Sequence, residues 1–153
     1  MRQFFSVALV VLVPLIGAEG LASAAHAQDV APFLAGRTKD CPGCDLSNQS
    51  LKRRNLTGAN LAGANLAGAS FHRSVLRGAV AESVDFTNAT LRDANLNGAL
   101  LRESIFYLVD LGGVDMSGAN LSRAILRSAN LGSTNQTGTI FTGAMMPDNS
   151  IHP

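Results

Sequence analysis

A large apolar residue at every fifth position is the feature that most constrains this chain. From Leu46 to Ile151 the frame steps through 22 positions, and 20 of them are Leu, Phe, Met or Ile. Only Ala81 and Gln136 depart from that chemistry, and no insertion breaks the spacing. Two residues before each frame position, 11 of the 22 are Ala and eight more are Cys, Ser, Thr or Val. Asn60-Leu61-Ala62-Gly63-Ala64-Asn65-Leu66 shows the unit plainly. A step of five scatters side chains around a helix, so the pattern is not helical. In an extended chain, residues two apart face the same side. The small residue and the large one then point inward together, and the residue between them points out. The remaining two residues must turn the chain, which accounts for the frequent glycine there. Each unit is a very short strand and a corner.

Four such units close a square coil only if positions twenty apart resemble one another, and they do. Gly58, Gly78, Gly98, Gly118 and Gly138 form one column. Leu46, Leu66, Phe86, Phe106, Leu126 and Met146 form another, with two phenylalanines in adjacent layers. Glu82 stands one layer from Arg102, and Glu103 one layer from Arg123. Repeats of this kind stack so that each coil covers its neighbour.

With those residues in view, the chain resembles the pentapeptide-repeat proteins, whose unit is approximately Ala-Asp/Asn-Leu-X-X. The resemblance covers residues 44–146. It implies an all-β fold, a right-handed quadrilateral parallel β-helix. With about 4.8 Å between stacked strands, the 22 units would make about five and a half coils, a rod about 26 Å tall. Some cytoplasmic members of the family imitate duplex DNA and bind DNA gyrase through a strongly acidic surface. This chain departs from that pattern, with 12 basic and 11 acidic residues and a net charge of +1. So balanced a chain offers little reason to bind or imitate nucleic acid.

The two ends read differently from the middle. Arg2, the apolar run from Phe4 to Ile16 and the small residues leading to Ala25-His26-Ala27 form a secretory signal with an A-x-A site. Residues 1–27 are therefore expected to be removed, leaving a periplasmic or secreted protein with no transmembrane segment. Residues 28–43 form an N-terminal cap, with a short helix from Asp29 to Ala35 that is capped by Asp29 and stopped by Gly36. That helix would lay Phe33 and Leu34 over the first coil. The stretch from Thr38 to Leu46, with Cys41-Pro42-Gly43-Cys44 in it, also resembles the lead-in of many exported family members. At the far end the frame decays at Gln136 and after Pro147, so 147–153 form a tail and the last coil is left exposed or paired.

The cysteine pair admits three readings. A redox-active pair would belong to a thioredoxin-like βαβ unit, which the repeat does not provide. A zinc site would need two further ligands, and only His72 and His152 remain after export. A disulfide between Cys41 and Cys44, pinning the cap to the first coil, suits an oxidising compartment. No catalytic constellation, metal set or cofactor motif stands out. Asp110 and Asp115 fall on neighbouring faces, but aspartate is the repeat's own preference at that slot. The expectation is a protein that is not an enzyme.

Two surfaces remain as candidates. Ile105, Ile125 and Met145 occupy outward slots in a column that earlier holds Asp45, Asn65 and Asp85; Tyr107 and Leu108 extend it, and Leu100 and Ile140 lie across the adjoining corner. Contiguous exposed apolar area marks contact with another molecule, so a protein partner or a homodimer is expected there. Lys52, His72 and Arg92 stack in one column, with Arg53 and Arg73 in the next and Arg54 close by. That basic column is the alternative, a surface for an anionic envelope polysaccharide or lipid headgroup.

Overall fold

The computed structural model describes residues 29–153; the expected export signal lies outside them. From Cys41 onward the chain winds as a right-handed, four-sided parallel β-helix. From Asp45 to Ile125, each residue lying between two inward positions pairs in parallel with the residue twenty further on. Wall 1 carries Asp45, Asn65, Asp85, Ile105, Ile125 and Met145, and wall 2 carries Ser50, Ser70, Thr90, Asp110 and Asn130. Wall 3 runs from Asn55 through Val75, Asn95 and Asp115 to Asn135, and wall 4 from Asn60 through Val80, Leu100 and Asn120 to Ile140. The ladder is carried by the backbone: Leu46 N donates to Asn65 O at 2.8 Å, and Asn65 N donates to Cys44 O at 2.9 Å. Paired amides and carbonyls leave few main-chain polar groups unsatisfied within the stack.

The corners explain the sequence chemistry. Most are closed by the amide of the next small residue donating to the carbonyl of the large one, as in Ala59 N to Leu56 O at 3.0 Å, while Arg54 N and Val84 N donate instead to Ser74 Oγ and Ser104 Oγ. The third corner residue is left-handed in every unit from Gly43 to Gly143: Gly78 has φ 60° and an added Cβ would meet nothing within 4 Å. Glycine is favoured there by backbone conformation alone, not by lack of space. Where the outward residue is Asn or Asp, its Oδ1 accepts the amide two residues on, as in Asp45 with Ser47 N at 3.1 Å. This happens at eleven corners. The Asx preference of the slot is thus a turn-fixing device.

Inside, the columns expected from the twenty-residue period are all present. Phe86 and Phe106 stack at 4.8 Å with an interplanar angle of 11°, the rise of one coil. Phe71 meets Phe86 edge-on at 6.2 Å. Ala81, the small member of the frame, follows Phe71 and precedes Phe86 in the winding and is buried, so its missing volume offsets two large rings in one layer. Buried serines stand in for alanine because they satisfy themselves: Ser104 Oγ donates to Ala81 O at 2.7 Å, and Ser74 Oγ to Leu51 O at 2.6 Å.

The ends depart from expectation in detail. The cap helix, α1, is a single turn spanning Ala31–Leu34, with Val30 at the N-cap. Asp29 acts one residue earlier, its Oδ1 accepting Ala31 N at 2.9 Å. Pro32 in the first turn supports so short a helix. Phe33 is buried over the first coil, whereas Leu34 is exposed. Gly36, at φ 73°, ends the turn. At the other end, Ile151 does not enter the stack as a further inward residue. The chain reverses after Pro147, and Ile151 pairs antiparallel with Met145.

Candidate functional site

The outward apolar side chains gather in the later coils. Ile105 and Ile125 follow Asp45, Asn65 and Asp85 up wall 1, each held out by its ladder position between two buried neighbours. Tyr107 and Leu108 occupy the corner between walls 1 and 2 one residue beyond the buried Phe106. Leu108 is 48% exposed and Ile125 38%. Leu100 and Ile140 are exposed on wall 4, separated from wall 1 by a charged corner. Along that corner Arg123 Nη1 lies 3.4 Å from Glu103 Oε1, and Glu82, Ser83, Arg102 and Glu103 border a shallow polar groove.

Met145 differs from expectation. It is half-buried, because the reversed tail pairs with it. In its place Ile151, 58% exposed, prolongs the apolar wall. Frame position alone treats Ile151 as an inward residue of a further coil, so the sequence carries no signal for its outward role.

The basic residues collect on the corner between walls 2 and 3 in the first three coils. Lys52, Arg53, Arg73 and Arg92 are exposed, and His72 is half-buried with Nδ1 3.0 Å from Arg92 O. Asp93 joins them from the neighbouring column: its Oδ2 lies 3.7 Å from Arg73 Nε and 3.9 Å from His72 Nδ1. The histidine therefore has a carboxylate neighbour that its own column does not supply. Arg54 does not belong to this surface. It occupies an inward small-residue slot, lies 5.2 Å from the Phe33 ring centroid and donates through Nη2 to Leu34 O at 3.0 Å. It is a latch on the cap.

Asp110 and Asp115 do not come together as a pair. Asp110 Oδ1 accepts Gly112 N and Asn130 Nδ2, both at 3.0 Å. Asp115 Oδ1 accepts Ser117 Oγ at 2.7 Å, Ser117 N at 3.0 Å and Asn135 Nδ2 at 3.1 Å. The Ser117 hydroxyl, with its amide, holds the Asp115 carboxyl below the usual carboxylate range. Both are committed to corners. Cys41 and Cys44 lie buried at disulfide-bonding distance, with Cα atoms 5.4 Å apart. Among the described residues no group of His, Cys, Asp and Glu is placed to hold a metal ion, and no helix is long and apolar enough to cross a membrane.

The family model described as pentapeptide repeats (8 copies) matches residues 55–93, 70–106, 82–118 and 104–143, together more than half of the chain. The chain belongs to the pentapeptide-repeat family.

This pentapeptide-repeat chain is similar to the pentapeptide-repeat protein Rfr23 of the cyanobacterium Cyanothece 51142, at 27% identity and TM-score 0.55, over 67% of this chain and 86% of that one. A pentapeptide-repeat protein of the Arabidopsis thaliana thylakoid lumen matches at 29% identity over 76% of this chain and 72% of its own, with TM-score 0.26. HetL of Nostoc sp. strain PCC 7120, a pentapeptide-repeat protein involved in heterocyst differentiation regulation, matches at 27% identity over 74% and 66%, with TM-score 0.31. No curated protein matches the chain.

The repeat accounts for the walls but not for two contributors to these surfaces. Arg127, one coil beyond Tyr107 in the same column, places its guanidinium carbon 5.9 Å from the Tyr107 ring centroid. The twenty-residue column, read through Tyr107, is the signal that finds it. Ile151 has no such signal.

Proposed function

We propose that this pentapeptide-repeat protein is an exported scaffold that acts through protein–protein contact on the apolar wall of its later coils. The observation that carries the reading is the change of character along wall 1. Asp45, Asn65 and Asp85 give way to Ile105, Ile125, the tail-covered Met145 and Ile151, with Leu108 and Tyr107 beside them. The corner-fixing Asx residue, which bonds the corner amide in eleven units, fills the earlier slots of this wall and is missing from the later ones. Isoleucine forgoes that bond and exposes apolar area instead, which is favourable only if something covers it. The occupant proposed is a second copy of the chain. A wall of straight, regularly spaced rungs is self-complementary under a two-fold axis, as an isologous dimer requires. Export rests on the leader pattern of residues 1–27, and a disulfide at Cys41 and Cys44 suits that destination.

The deciding experiment is the solution mass of residues 28–153 by light scattering, at low and high salt. A dimer that resists salt and is lost in Ile125→Glu, with the β-helical circular dichroism unchanged, is the expected result. A monomer at every concentration, or a dimer indifferent to Ile125→Glu, would remove this assignment.

A further inference from the structure

The corner between walls 2 and 3 carries a second surface, independent of the apolar wall. Lys52 and Arg53, His72 and Arg73, then Arg92 rise through three successive coils, each pair one coil rise above the last. Four permanent cations and one carboxylate, Asp93, give this corner +3 on a chain whose net charge is +1. The remainder of the molecule is therefore acidic, and the positive charge is segregated. The flanking ladder residues are neutral as far as the cations run: Ser50, Ser70 and Thr90 on wall 2, Asn55, Val75 and Asn95 on wall 3. One coil later the same columns turn to Asp110 and Asp115, and the corner itself to Gly112 and Gly113. The patch thus has sharp ends. Arg53 and Arg73 also sit at φ 58°, where the repeat otherwise favours glycine. Arginine is strained there relative to glycine, and no buried contact offsets that strain, because both side chains are exposed.

We propose that this corner binds a linear phosphate polymer laid along the rod axis. The long side chains of the corner are donor-only cations in a straight row, and guanidinium and ammonium groups suit phosphate oxygens. A sugar polymer recognised through its rings would call for aromatic faces, and the aromatic residue nearest in kind, Tyr107, stands on a different corner. Asp93 limits the site. It neutralises part of Arg73, yet 58% of the Arg73 side chain remains in solvent.

The test is fluorescence polarisation of labelled inorganic polyphosphate with the purified full-length protein at low salt. Arg53→Gly/Arg73→Gly relieves two left-handed residues, so its fold is retained while two cations go; affinity should fall roughly 30-fold. Asp93→Gly, relieving a third, should tighten binding. Arg102→Gln/Arg123→Gly removes the same charge from the diagonally opposite corner and should change affinity less than about threefold. Equal losses in the two double variants would reduce the effect to net charge and overturn the proposal. So would absence of polyphosphate binding at low salt, or equal binding of polygalacturonate, a carboxylate polymer. None of these readouts depends on whether the protein self-associates.

Discussion

The first coil and the last are built from the same five-residue unit, yet one is clasped and the other is open. At the first, Phe33 is buried over the coil, Arg54 spans the ring and the carbonyl of Leu34, and Cys41 and Cys44 lie buried beneath the cap. At the last, Leu131 is half-buried, Gln136 is exposed, and only wall 1 and its neighbouring corners gain cover from the reversed tail. The outward faces differ in the same sense: wall 1 is polar near the clasp and apolar near the open end. Stability in a stack of repeats is a sum of local terms and neighbour interfaces. The clasped end should therefore respond to substitution far more strongly than the open one.

The largest effect is expected at the clasp. Phe33→Ala should lower unfolding free energy by about 3 kcal/mol, because a fully buried ring is lost. Gln136→Leu at the open end should stay within about 0.5 kcal/mol, since that slot is bathed in solvent. Urea unfolding measures both, and equal effects would dissolve the contrast. Next comes the cysteine pair. Replacing both with serine should cost about 2 kcal/mol, the value for closing so short a loop, and hydrogen exchange should rise in the first coil before the fourth. Uniform acceleration would show that the clasp stabilises the whole rod instead of one end.

Leu108 offers a smaller and opposite test. It is exposed on the apolar side at φ 56°, so Leu108→Gly should raise stability by about 1 kcal/mol while weakening self-association. A variant whose monomer loses stability would show that the left-handed corner puts no net strain on Leu108. The smallest effect belongs to Asp115. Its carboxyl is held below its ordinary value of 3.8, so the stabilisation it brings is present above that pH and lost as pH falls through the lower folded value. Asp115→Asn should flatten the acid limb of the stability curve below pH 3.8 and leave neutral stability little changed; an unaltered acid limb would remove Asp115 as its source.

Much of this molecule could be read from spacing. Asp45, Asn65, Asp85, Ile105 and Ile125 belong to one ladder because they are twenty apart, and their outward direction follows from the buried residues on either side. The same spacing located the basic corner and the Phe86–Phe106 stack. Arg54 shows where spacing fails. Its slot demands a small inward residue, and only the arrival of Phe33 from a segment twenty residues away makes an arginine fit, by giving its guanidinium a ring and a carbonyl to contact. Arg73 and Asp93 stand twenty apart in one column, but the contact of His72 with Asp93 crosses columns, so a reading of single columns does not find it.

The sequence by itself determined the coil, its four walls and the identity of every stacked column, because a period of five fixes side-chain direction locally and a period of twenty fixes the neighbour above. The tertiary structure alone decided how the rod ends. A frame position is buried only if another layer lies over it, and that cover is a long-range event with no trace in local pattern. Ile151 keeps the frame and would be core in a longer stack. With no coil to follow, the chain turns back, pairs Ile151 with Met145 and leaves it facing solvent.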